Sequence, residues 1–380
     1  MSEPLKVLRA AYDDRTAEAR RRKAAGETVI GYFLNSVPEE LILAAGCFPV
    51  RLAGHPSRRS AVAERYMEEY FDGEVRSIFG SLVEGEFSFA DLVVIPRNSD
   101  VYLHLYYMLR EIPKWEPDAR TPPLHLFDLL QTPGWTTAQY VVGRLRAMAQ
   151  RFEALVGREI SDDALRAAIR TTNASRKLLI EARALWGGAA PALDGVDALK
   201  VIGSASAMAR ADHDAALRAL LANPPTARSR RPRILIKGSP QSDVRFTALV
   251  ERSGGAVVAH DHLWGDRTYA ALIDETQDPW EALAVHYSCA IPSPREFPQA
   301  RADAHFLALA LQARVDGVIF YHDEWDDTLG WEYPDQKALL DERGIPSLFL
   351  KRQPWFDPDE EAQAAAVTAF IESLGKGASA

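Results

Sequence analysis

Residues 31–54 read GYFLNSVPEELILAAGCFPVRLAG, and four side chains there are suited to chemistry: Asn35, Ser36, Glu39 and Glu40. They fall where a buried-looking strand gives way to a helix start. Backbone amides at such a start bind a carbonyl or phosphate oxygen. A local account competes: Ser36 as N-cap, Pro38 just inside the helix and Glu39 at its third position form a capping box. A second such place is IKGSPQS, residues 236–242, where amides around Gly238 and Ser239 can cradle a phosphate and Lys237 adds charge. It lacks GxGxxG and Walker A spacing, so an ordinary strand-to-helix turn also accounts for it. His104, in DVYLHLYYML close to Ser99, is either a satisfied core histidine or a catalytic one. HDEWDD, residues 322–327, sets four acids after a strand, as a solvated loop or as a ligand or acid–base site. RRPR, residues 230–233, is a solvated basic run or a contact for a phosphate.

Sulfur is scarce. Cys47 and Cys289 are the only cysteines, far apart and without CxxC or Cys/His spacing, so no zinc site is written in the sequence. Two thiols cannot hold a cluster that takes four thiolates. Cys47 lies in an apolar run and reads as a small core residue, and Cys289 reads as buried and inert.

The elements that must position these groups alternate. An Arg-rich amphipathic helix reaches about Gly26, then TVIGYF, CFPVRLAG, ADLVVIP and PPLHLFDL read as buried strands separated by helices. From Thr136 to about Asn223 the spacing turns to long helices, and NPPTARSRRPR is a polar linker. ILIKGSP, AVVAHD, DGVIFYH and IPSLFLK then repeat the strand–helix alternation. The expectation is an α/β protein of two doubly wound, mainly parallel sheets with a helical segment between them. Its parts are an N-terminal α/β domain over 1–135, a helical middle over 136–225 and a C-terminal α/β domain over 226–380. Ligands in such sheets lie beyond the strands' carboxyl ends.

The 380 residues suffice for two domains, and 47% hydrophobic with 26% charged residues is a globular composition. A net charge of −9 argues against a nucleic-acid surface. No apolar run approaches the roughly 20 residues that span a bilayer. The charged N-terminal residues contain no secretory apolar stretch, so a cytoplasmic protein without a membrane partner is expected.

The run Val-Pro-Glu-Glu-Leu-Ile, followed by Ala-Ala-Gly and Pro-Val-Arg-Leu, resembles the N-terminal signature of the 2-hydroxyacyl-CoA dehydratase and benzoyl-CoA reductase family, of the 2-hydroxyglutaryl-CoA dehydratase D-component kind. VRSIFG with ADLVVIPRNSD, then ILIKGSP, LVERSGGAVVAHD and GDRTY, then VDGVIFYHDEWDD and ERGIPSLFL continue the resemblance in order. It implies two α/β domains around a cleft, an acyl-CoA thioester as ligand, and pairing as a homodimer or with a related subunit. It also implies a lyase-type reaction driven through a 4Fe–4S cluster held by three cysteines of each subunit. Asn35 and Ser36 would lie at the acyl end, with Ser36 on the thioester carbonyl and Glu40 as a proton-transfer group. The three thiolate positions correspond here to Asp72, Ser99 and Asp326, all oxygen residues. An oxygen set suits a hard divalent ion, with His322 nearby, or an ordinary polar cleft, and not a low-potential cluster. No cofactor is therefore assigned. Three functions follow: an acyl-CoA-binding subunit without its own cluster, a cluster-free lyase or hydratase using carboxylates or a hard metal, and a non-catalytic scaffold.

Overall fold

A computed structural model describes residues 2–97, 99–130, 132–226, 231–290 and 298–377. The first sheet contains β1 (Val29–Tyr32), β2 (Phe48–Arg51), β3 (Leu92–Pro96) and β4 (Leu124–Phe127), and the second β5 (Arg233–Gly238), β6 (Ala256–Asp261), β7 (Gly317–Asp323) and β8 (Ser347–Gln353). Every pairing is parallel, and the spatial orders are β2-β1-β3-β4 and β6-β5-β7-β8. The two sheets thus share one winding. In each, the strand order reverses beside the first strand, between β1 and β3 and between β5 and β7, and that is where a crevice opens at the carboxyl ends.

Both faces of each sheet are covered, which is why the strands read as unbroken apolar runs. On the first sheet Ile30, Tyr32, Leu92 and Val94 pack with the helices Trp135–Val156 and Pro279–Val285. Val29, Val50, Val93 and Ile95 face the other way, onto the helices Gly73–Val83 and Asp100–Glu111. The second sheet alternates likewise. Ile234, Ile236 and Ile319 meet the helices Arg245–Arg252 and Glu360–Gly377, and Leu235, Val318 and Phe320 meet Ala300–Ala313.

The N-terminal stretch expected as one amphipathic helix is two, Glu3–Asp13 and Ala17–Ala24. The chain leaves the helix at Asp14, whose φ of −124° and ψ of 76° are not helical. The first of these helices does not stay with the first sheet. Leu5 and Leu8 pack among Leu179, Trp186, Val201 and Leu217 of the helical middle, and Tyr12 donates to the Ser242 carbonyl after β5. In exchange, Ile273, Trp280 and Leu283 from the second half are built into the first sheet's core. Among the described residues no helix is long and apolar enough to cross a membrane.

Candidate functional site

The carboxyl ends of both sheets open onto one cleft of roughly 1030 Å³. Leu34 follows β1, Ser99 follows β3, Gly238 ends β5, Asp261 ends β6 and Asp326 follows β7, and all five line it. Two backbone features hold its floor. Leu34 has φ of 59°, a left-handed conformation that a branched side chain adopts only when its surroundings enforce it. Gly238 has φ of 146°, and a Cβ there would lie 1.9 Å from the Tyr321 carbonyl of β7. Only glycine fits between the two central strands at that point.

Asp72, Ser99 and Asp326 meet in this cleft, although 254 residues separate the first from the last. Each is the N-cap of a helix: Asp72 of Gly73–Val83, Ser99 of Asp100–Glu111 and Asp326 of Asp327–Asp341. Asp72 accepts from the Val75 amide at 3.0 Å and Asp326 from the Leu329 amide at 3.2 Å, while the Ser99 side chain makes no cap bond. Asp and Ser are preferred caps, so these residue types are accounted for locally. Three helix N-termini, each with unsatisfied amides and the positive end of its dipole, therefore converge on one crevice.

The wall carrying these caps is rich in carboxyl groups. Burial, with Asp326 beside it, pushes the Asp72 carboxyl up. Burial and the nearby Asp72 raise Glu74 to about 7. Asp323, buried with Asp72, Asp326 and Glu74 around it, is pushed well above the usual carboxylate range. Burial and mutual repulsion thus oppose ionisation of all three carboxyls in the same direction.

Charged groups at the ends of β5 and β6 are paired with one another instead. Arg267 donates to both oxygens of Asp261, at 2.6 and 3.3 Å. Lys237 lies buried 3.4 Å from Glu332 and 3.8 Å from Asp261. Its charge is committed to that cluster, and it does not line the cleft. Ser239 is equally engaged: its hydroxyl donates to Asp326 at 2.8 Å and accepts the Asp323 amide at 2.9 Å. Of the IKGSPQS loop, Gly238 and Pro240 face the cleft.

The residues singled out around Ser36 lie differently. The helix begins at Glu39 with Pro38 as N-cap, so Ser36 does not cap it and no capping box forms. Val37 would have to be helical in that arrangement, and a residue before proline avoids the α region. Ser36 is buried, and Asn35 and Glu39 line a second cavity of about 500 Å³ that shares Leu34 with the cleft. Glu39 is paired with Arg210. Glu40 is 0% exposed, accepts from Arg176 and from the Tyr287 hydroxyl, each at 2.7 Å, and lines neither cavity. Burial alone would raise its carboxyl, but the Arg176 guanidinium and the Tyr287 hydroxyl hold it at about 2. A carboxylate so committed binds the helix Asp162–Ala182 to the first sheet.

His104 is exposed, its ring edge against Phe71, and it does not line the cleft. His322 is buried between Phe320 and Phe349. Arg230 lies outside the described residues, and Arg233 donates to the carbonyls of Gly187, Gly188 and Ala313, a structural tie. Sequence reasoning passes over Glu74, Asp261, His262 and Arg267, all of which line the cleft. The carboxyl-end rule, applied to AVVAHDHLWGDR, is the signal that finds the last three.

An iron–sulfur cluster does not fit these residues. The cleft offers Asp72, Ser99 and Asp326 where soft thiolates are needed. Cys47 is buried in the first sheet's core, its thiol pushed up to about 11 by burial. Cys289, expected to be buried, is half-buried beside Ser288, and neither cysteine lines the cleft. Among the described residues no three His, Cys, Asp or Glu side chains are grouped so as to hold a metal ion.

The model of the 2-hydroxyglutaryl-CoA dehydratase D-component family matches residues 35–374. The chain is 22% identical to the (R)-phenyllactyl-CoA dehydratase beta subunit of Clostridium sporogenes, covering 93% of this chain and 94% of that one. It is 23% identical to the beta subunit of (R)-2-hydroxyglutaryl-CoA dehydratase from Acidaminococcus fermentans, covering 93% and 94%. It is 24% identical to a benzoyl-CoA reductase subunit of Thauera aromatica, covering 88% of each.

Proposed function

The chain belongs to the 2-hydroxyglutaryl-CoA dehydratase D-component family, and from that premise we propose that it binds an acyl-CoA thioester in the cleft between its two sheets. It does so as one subunit of a dehydratase- or reductase-like assembly and carries no cluster of its own. The observation that supports this is the convergence of three helix N-termini, capped by Asp72, Ser99 and Asp326, at both switch points. Outward-facing amides suit the oxygen atoms of a thioester or phosphate, and apolar residues such as Leu34, Val101 and Leu329 leave room for an acyl chain. The relatives are named as subunits, and a second, related chain is the partner this reading calls for. Any electron-transfer centre would lie there, in a thiolate set this chain lacks.

Calorimetric titration of the full chain with acyl-CoA thioesters tests the reading. Binding is expected, and Ser99→Trp, which fills the cleft without removing a cap bond, should weaken it at least about ten-fold, or 1.4 kcal/mol. Wild-type protein that binds none of a panel of thioesters would refute the assignment, and unchanged binding by Ser99→Trp would move the site elsewhere. Purified protein is expected to be colourless. A brown preparation with stoichiometric iron and sulfide would overturn the cluster-free part alone.

One observation favours a second reading. Glu74, held at about 7 in the cleft, is suited to take or give a proton near neutral pH, as a cluster-free lyase acting through carboxylates would require.

A further inference from the structure

His262 follows β6 and lines the cleft while only 2% exposed. Its Nδ1 accepts the Trp264 backbone N–H at 3.2 Å, so in the neutral ring the proton sits on Nε2. That Nε2 is buried and has no hydrogen-bond partner among the described residues. A buried donor left unpaired forfeits its hydration without recompense and asks for an explanation. The groups nearest in the chain are engaged elsewhere. The adjacent Asp261 carboxylate is held by Arg267, and the neighbouring His260 packs edge-on and turns its own Nε2 to Thr247.

The turn that sets this orientation is braced from the other sheet. Arg51, at the end of β2, donates to the Leu263 carbonyl at 3.0 Å and stacks over the Trp264 ring, 3.5 Å from its centroid. Burial, together with Arg51, Arg267 and Lys237 around the ring and only Asp261 opposing them, lowers His262 to about 3. The imidazole therefore stays neutral and keeps one donor.

We propose that the Nε2–H of His262 is a preset hydrogen-bond donor to the carbonyl oxygen of the thioester bound in the cleft. The inference rests on the acyl-CoA reading and names the group that recognises the acyl carbonyl. A neutral donor fixed before the ligand arrives stabilises partial negative charge on that oxygen without reorganising. A thioether of the same length, lacking the carbonyl, leaves the donor as it is in the free protein.

The test compares an acyl-CoA thioester with the matched S-alkyl-CoA thioether by calorimetry on the full chain. Wild type should prefer the thioester about ten-fold. His262→Leu should erase that preference, so that thioester and thioether bind alike, and His262→Gln, which retains an N–H donor, should restore part of it. Nitrogen-15 spectra of the free protein should show the His262 proton on Nε2, with the ring neutral through pH 5. A proton on Nδ1, or a thioester preference that survives His262→Leu, would overturn the inference and leave the acyl-CoA reading intact. If neither compound binds, the acyl-CoA reading itself fails and this inference with it.

Discussion

Replacing Glu40 with leucine is expected to cost about 3–5 kcal/mol at pH 7, because Arg176 then stays buried without a counter-charge. Arg176 is 8% exposed at its side chain, and the Tyr287 hydroxyl loses its acceptor in the same substitution. The double variant Glu40→Leu, Arg176→Met should recover most of the loss, since an apolar pair of similar volume removes the stranded charge along with its partner. Glu40 is held at about 2, well below its unfolded value. Its contribution is therefore present above the unfolded pKa near 4.5 and fades as pH falls toward 2. Denaturant midpoints of the three proteins at pH 7 and pH 3 check this: the gap between wild type and Glu40→Leu should be wide at the first and clearly smaller at the second. A single variant as stable as wild type at pH 7 would return Glu40 to the list of candidate proton carriers.

Glu74 works in the opposite direction. Its folded-state pKa of about 7 lies above the unfolded value, so its contribution is intact below pH 4.5 and is lost as pH rises through 7. A shift of that size corresponds to about 3 kcal/mol. Glu74→Gln keeps the shape and removes the ionisation. The variant should match wild type at pH 4.5 and exceed it by up to about 3 kcal/mol at pH 8. Some pH dependence should remain in the variant, because Asp72 and Asp323 are raised on the same wall. Denaturant midpoints from pH 4.5 to 8, with the protonated-carboxyl infrared band as an independent readout, decide the point. Parallel pH profiles for the two proteins would show that Glu74 ionises normally.

The inner strands were legible because burial on both faces makes each a short apolar run between turn residues, as in LVVIP of β3 or GVIFYHD of β7, while the half-buried edge strands β4 and β8 were legible from their place in the strand–helix alternation. The meeting of Asp72, Ser99 and Asp326 was legible through resemblance, and their common position at helix starts follows from the strand–helix alternation itself. Partnerships across long stretches of chain were not. Nothing local in PLKVLRAAYDD tells that Leu5 and Leu8 pack against Leu217, and nothing in RTTNASRK tells that Arg176 reaches Glu40, 136 residues away. The same limit hid the fate of Lys237, which reads as a free cation beside a glycine loop until Asp261 and Glu332 are seen to enclose it. The helix start near Ser36 failed for a local reason, the restriction Pro38 places on Val37.

The exchange of packing elements between the halves bears on any attempt to divide the molecule. Cutting the polypeptide after residue 226 would pull the helix Gly195–Ser204 off β6 and the helix Arg245–Arg252, on which it packs, and carry Trp280 and Leu283 away from the hydrophobic pocket they fill. Each piece would emerge with an oily scar and without the plug that closes it. The two α/β lobes, alike as they are in winding, are thus clasped by each other's arms, and separated halves are expected to be less stable than the whole.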